Sequence, residues 1–248
     1  MPDNTTKIRG AWVANLTWPE VEERIQSGAV AILPVGAAAK EHGRHLPLNT
    51  DQLQAEWLSA RLIEKVNVLV WPTLTYGHYP AFTDYPGSCN LSAATFEKLV
   101  EEILQSIFGN GSKSALILNT GISTIAPLER VIARMGRPIK LANVYQGRRY
   151  LKAKEKTRQQ SYGSHADELE TSIMLTIAPD KVNMSRAKPW ARREIQAGAL
   201  VRNNKSHPNY SPDGVFGDPT LATKEKGELL LKGMIEDIRD DICLVLDG

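Results

Sequence analysis

Residues 34–51, PVGAAAKEHGRHLPLNTD, decide how this chain is read. The hydrophobic run Ala31-Ile32-Leu33-Pro34-Val35 leads into them and predicts a buried strand ending in a loop. A helical pattern then opens at Asp51, as Asp51-Gln52-Leu53-Gln54-Ala55-Glu56-Trp57-Leu58. Glu41, His42 and His45 thus fall on a loop at the carboxyl end of a strand, and Asp51 falls at a helix start. In α/β sheets, ligands and substrates bind at that end. Imidazole with carboxylate is a donor set for zinc, iron or manganese. The structural alternatives are a loop histidine bonded to backbone and an acid set against a helix dipole.

Outward from this stretch, apolar runs alternate with helical patterns. Thr17-Trp18-Pro19-Glu20 predicts a helix start, with Thr17 as cap and Pro and Glu in the first turn. A buried strand is expected at 66–74, and further strands at 115–119 and 139–145. Helices are expected at about 51–65, 93–108, 127–135 and 167–177, with a last one ending near Leu246. The 93–108 helix carries an apolar stripe at Phe96, Leu99, Val100, Ile103, Leu104 and Ile107. The Gly-, Pro- and aromatic-rich 76–92 segment reads as a functional loop, and the basic, polar 147–164 segment as exposed and partly mobile. This alternation predicts a single-domain three-layer α/β/α sandwich over residues 1–248, with a largely parallel sheet.

Composition narrows the partners. A net charge of +2 without a basic run speaks against nucleic acid and an anionic membrane surface. Two cysteines are too few for a disulfide framework and fit no metal spacing, which points to a reducing interior. The first ten residues lack an apolar segment, so no signal peptide is expected, and no stretch suits a membrane span. The expected location is cytoplasmic.

PVG, HG, HLPL and TD in this spacing resemble the first metal-binding segment of the creatininase family. Ser164-His165-Ala166-Asp167-Glu168-Leu169-Glu170-Thr171-Ser172 resembles its His-Ala-Gly-Glu-x-Glu-Thr-Ser motif, with Asp167 in the Gly place. Tyr85-Pro86-Gly87-Ser88 resembles its aromatic-Pro-Gly segment, and residues 217–227 match a recurrent segment read as structural. Two places depart from the pattern. Lys40 stands where the family has Glu two residues before the first His, and Gly121 stands where a metal-binding His is usual.

The resemblance implies a creatininase-like, metal-dependent amidohydrolase in which metal-activated water cleaves the C–N bond of a small amide, formamide or cyclic amide. It implies one divalent ion, with two as the fuller case, held by His42, Asp51 and Glu168. Glu41 either replaces the displaced ligand or is solvated. His165 is implied as the catalytic imidazole, and Glu170 as a carboxylate supporting it. Spacing on a helix turns Glu170 about 200° from Glu168, so one faces the metal while the other braces the fold. Lys40 is read first as a surface residue and, if buried, as a binder of a substrate carboxylate or phosphate. His45 is read as structural, with a substrate role next. His78 and Tyr79 in the aromatic loop, and Ser123 and Thr124 after the third strand, are the remaining substrate-binding candidates. His78 has the further option of replacing the absent imidazole. The implied assembly is a homo-oligomer, a hexamer by the family's habit. The alternative is a family member that binds a small polar ligand or a partner without hydrolysis.

Overall fold

The computed structural model describes residues 9–190 and 198–247. In chain order its elements are β1 (Ala11–Trp12), α1 (Trp18–Gln26), β2 (Val30–Val35), α2 (Thr50–Ile63), β3 (Val68–Val70) and α3 (Ala93–Gly109). There follow β4 (Ala115–Asn119), α4 (Ile125–Met135), β5 (Ile139–Asn143), α5 (Arg148–Thr157), α6 (Glu168–Ile177) and α7 (Lys224–Asp247). All strand pairs are parallel, in the order β1-β3-β2-β4-β5. The expected reading of residues 1–10 as lacking a signal peptide lies mostly outside the described residues. No helix among those described is long and apolar enough to cross a membrane.

Because successive side chains on a strand point to opposite faces, β2 feeds two cores at once. Val30 and Ile32 join Leu116 and Leu118 of β4 under α2, α6 and α7. Ala31, Leu33 and Val35 join Ala115 and Ile117 under α3 and α4. On α3, Phe96, Val100, Leu104 and Ile107 are the buried stripe, and Ser92 caps the helix by accepting the Thr95 N–H at 3.1 Å. Helix α1 opens on a capping box between Thr17 and Glu20. The result is a three-layer α/β/α sandwich with a parallel sheet, as the alternation of apolar runs predicted.

Two expectations are corrected. The 66–74 strand shrinks to Val68–Val70, because Pro72 has no N–H to continue the ladder. Leu74 regains only an isolated bridge to Val35. The 147–164 segment, expected to be exposed and partly mobile, holds α5, whose Tyr150 is buried against α7.

Helix α5 is capped from a distance. Asp237 of α7 accepts the Arg149 and Tyr150 N–H groups at 2.9–3.0 Å. A side chain on Gly147 would collide with that carboxylate, so the cap needs glycine there.

The order of strands places the site. The chain leaves β2 for β3 on one side and returns to β4 on the other, so a crevice opens between the carboxyl ends of β2 and β4. The Thr120 hydroxyl, just past β4, bridges the Val35 and Asp51 carbonyls at 3.1 Å each and closes the bottom of that crevice.

Asp237→Ala should cost about 1–2 kcal/mol of stability, the worth of a lost helix cap with its dipole contribution. Urea unfolding measures the loss, and hydrogen exchange should show it concentrated at residues 148–152.

Candidate metal and active site

His42 and Asp51 are both fully buried. The His42 Nδ1 lies 2.9 Å from the Lys40 carbonyl, and a carbonyl only accepts, so Nδ1 carries the hydrogen. In the neutral ring, Nε2 is then a bare lone pair. It faces the Asp51 Oδ1 at 3.1 Å and the Glu170 Oε1 at 3.7 Å, both acceptors. Acceptors gathered around a lone pair in a dry interior require a proton or a cation among them. Asp51 itself stays ionised. Burial alone would raise its pKa, but the Lys40 ammonium and His42 outweigh burial and hold it well below the carboxylate range.

His165 repeats the pattern from the other side. Its Nε2 donates to Glu41, with the backbone oxygen at 2.9 Å and Oε2 at 3.0 Å, leaving Nδ1 turned to the Glu170 Oε2 at 3.8 Å. Burial would lower the pKa of this imidazole, yet the Glu41 carboxylate outweighs burial and raises it. The ring is fixed by paired backbone bonds to Phe216 and by Phe82, whose ring centre is 4.3 Å away. Ala166 adopts a left-handed φ of 47°, and its N–H donates to the Glu170 Oε2 at 2.8 Å. That turn swings His165 and Glu170 towards each other at the start of α6.

Glu41 is neither solvated nor free. Its carboxylate accepts hydrogen bonds from the His165 Nε2–H and the Gly43 N–H, and it packs where a Gly214 side chain would otherwise sit. Gly214 also has a φ of 77°, a conformation costly for other residues.

His42, His165 and Glu170 present ligand atoms within 4.8 Å of one another, all three buried, and Asp51 adjoins them through His42. Two imidazoles with carboxylates fit a divalent ion of the zinc or manganese kind.

The structure does not bring Glu168 to this group. Its carboxylate accepts the Gln159 and Gln160 N–H groups at 2.8–3.0 Å and pairs with Lys226. The two acids do point apart, as the helical spacing required, but Glu170 is the one that faces the histidines. Lys40 is not a surface residue: it is buried, with Nζ 2.7 Å from the Asp51 Oδ2. His45 bonds the Thr171 hydroxyl at 2.9 Å, and His78 bonds the Leu91 carbonyl at 2.9 Å, both outside the group. Tyr79 is buried in an apolar cluster with Phe82 and Tyr85. The Thr124 hydroxyl donates to Asn119 and braces the β4 turn, so it is not open to a ligand. Ser123 does reach open space. It lines a cavity of about 320 Å³ together with Lys40, His165, Glu170, Asn143 and Lys154.

Tyr145 and Gln54 were not singled out from sequence. The Tyr145 hydroxyl donates to the Gln54 Oε1 at 2.6 Å and lies 3.5 Å from the Glu170 Oε1. Gln54 lies one turn beyond Asp51 on α2, and that spacing was the one available signal. Tyr145 follows the end of β5, another strand terminus at the same edge.

A family model described as creatinine amidohydrolase matches residues 14–242. A creatinine amidohydrolase of Pseudomonas putida is 26% identical over 94% of this chain and 96% of its own length. A mycofactocin precursor peptide peptidase of Mycolicibacterium smegmatis is 25% identical over 86% and 84%. Among solved structures, a manganese creatininase superposes with a TM-score of 0.80 at 23% identity, covering 97% of this chain and all of that one. A substituted creatininase of the Zn-Zn type reaches 0.81 at 23% identity, with the same coverage.

Glu168→Gln should lower stability by about 1–3 kcal/mol, the cost of losing a charge-assisted bond from a partly buried Lys226 that keeps its bonds to the Gln159 side chain and the Leu221 carbonyl, while leaving metal content unchanged. Urea unfolding and metal analysis on one preparation check both halves. Burial holds the His45 pKa down to about 4 from its ordinary 6.5. The folded chain therefore refuses a proton that the unfolded chain accepts. This contribution is complete above pH 6.5 and lost as pH falls from there towards 4. His45→Gln should flatten the acid loss of stability across that window by on the order of 2 kcal/mol, read from unfolding midpoints at stepped pH.

Proposed function

The chain belongs to the creatininase family of amidohydrolases, and we propose that it hydrolyses the C–N bond of a small amide, formamide or cyclic amide at a metal site built on His42, Asp51 and Glu170. The observation that carries this reading is the pair of imidazoles, each with one nitrogen committed to an acceptor. Their remaining nitrogens are turned towards carboxylates in a buried pocket. A divalent zinc, manganese or iron ion held there would supply Lewis acidity and a water acidic enough to ionise near neutral pH.

The chain's own residues supply the rest. His165 lines the cavity, and Glu41 favours its protonated form, so it is placed to stabilise a developing oxyanion and to hand a proton to the leaving nitrogen. Glu170 faces both imidazoles, and the Ala166 N–H holds its Oε2 in place. The ligand role first given to Glu168 thus passes to Glu170. Ser123 offers a hydroxyl on the cavity wall for a polar substrate, and a volume of about 320 Å³ suits a small one. A creatinine amidohydrolase and a precursor peptide peptidase are among the relatives, so attack on an amide carbonyl is the chemistry this reading extends to the chain. A homo-oligomer working in the cytoplasm belongs to the same reading.

His42→Ala should reduce bound zinc, manganese and iron at least about 10-fold. It should also lower metal-stimulated hydrolysis of a panel of small amides by about 100-fold or more. Elemental analysis of both proteins, run beside the turnover assay, decides the matter. Equal metal in wild type and variant rejects the site. Metal bound without turnover of any amide moves the chain to the non-hydrolytic alternative.

A further inference from the structure

Lys40 has no part in the chemistry above, yet it is buried and paired with Asp51. It is 6% exposed, although it carries a charge. Its Nζ lies 2.7 Å from the Asp51 Oδ2, 5.0 Å from the centre of the Phe82 ring and 5.9 Å from that of Tyr79. Its carbonyl accepts the His42 Nδ1 hydrogen, and that orients the imidazole on the Asp51 Oδ1. One residue thus governs both oxygens of a single buried carboxylate. Through its backbone it directs a metal-binding nitrogen to one oxygen, and with its ammonium it fills the other.

We propose that the Lys40 ammonium occupies the place a second metal ion would take against Asp51, so that the site holds one divalent ion and one built-in cation. The inference rests on the metal reading above and specifies its stoichiometry. Three observations support it. The Asp51 Oδ2 is already neutralised at 2.7 Å by a group that cannot ligate a metal while protonated. Among the described residues, one group of three or more ligand-bearing side chains lies close enough to share an ion, and it contains the His42 and Glu170 already assigned to the metal. Gly121, at the β4 turn on the cavity wall, offers no side chain towards a second ion.

Glu168 is likewise no ligand for a second ion, because it is paired with Lys226 and accepts the Gln159 and Gln160 N–H groups. The aromatic faces of Phe82 and Tyr79 favour a cation at Nζ. A Zn-Zn creatininase shares the fold, so a shared scaffold with a different cation count is what the inference asserts.

The test is Mn²⁺ binding to metal-stripped protein, followed by equilibrium dialysis and by the loss of the free-ion resonance signal. Wild type should saturate at about one ion per chain. Lys40→Glu, which replaces the ammonium with a carboxylate, should saturate at about two. Lys40→Met should remain at one but bind it about 10-fold more tightly, because a positive charge beside the site is gone. Circular dichroism identifies any variant that fails to fold, and in that event wild-type stoichiometry and the other variant still decide. Two ions per wild-type chain overturn this inference alone. A folded Lys40→Glu variant that stays at one does the same. No bound ion in wild type overturns the metal reading and this inference together.

Discussion

A carboxylate with no exposure to water cannot keep its charge unaided, and Asp51 is such a carboxylate. It stays ionised because two cation-capable groups reach it from one loop, the imidazole of His42 on Oδ1 and the ammonium of Lys40 on Oδ2. Both belong to the connection between β2 and α2, and Asp51 begins the helix that this connection enters. The whole edge of the sheet is arranged to make that triple contact possible. Thr120 ties the Asp51 backbone to the ends of β2 and β4, and Phe82 and Tyr79 close over the lysine. Loss of the contact would leave a buried charge, not merely a missing bond, so the site and the stability of this edge are one problem.

What was legible in the sequence is what periodic burial writes there. Strands β2 and β4 announce themselves because both faces are covered, and α3 because its stripe recurs every turn. His42 and Asp51 were legible because strand end, loop and helix start follow one another without a break. The readings that failed depend on partners far along the chain. Helix α5 is mostly polar, with Tyr150 its one buried residue, and its N-terminal donors are satisfied by Asp237, 88 residues away from Arg149. Local pattern holds no trace of that carboxylate.

Glu168 and Glu170 show the same limit at finer scale. Helical geometry says that they diverge, but it cannot say which one turns inwards. Lys226 decides, 58 residues downstream, by claiming Glu168 together with two backbone N–H groups. Lys40 was misread for a related reason. A lysine in a polar motif is a surface residue unless something buried needs its charge, and the need arises only once α2 carries Asp51 beneath it.

The two histidines show why a site of this kind is specified as much by what the rings cannot do as by what they reach. A carbonyl fixes the tautomer of His42, and Glu41 fixes that of His165, so in each ring one nitrogen is spent on orientation. The nitrogens left over both turn towards Glu170, at 3.7 and 3.8 Å. Neither ring can turn to relieve the crowding without giving up a bond made in a dry interior, where an unpaired polar atom costs 1–3 kcal/mol. The arrangement therefore stores a demand for positive charge at one point. That demand comes from three segments remote in sequence: the β2–α2 loop, the turn before α6, and the Phe216 strand bridge that holds His165 in place. The walls of the cavity beyond that point come from the β4 turn, the end of β5 and α5, none of which holds either ring in place.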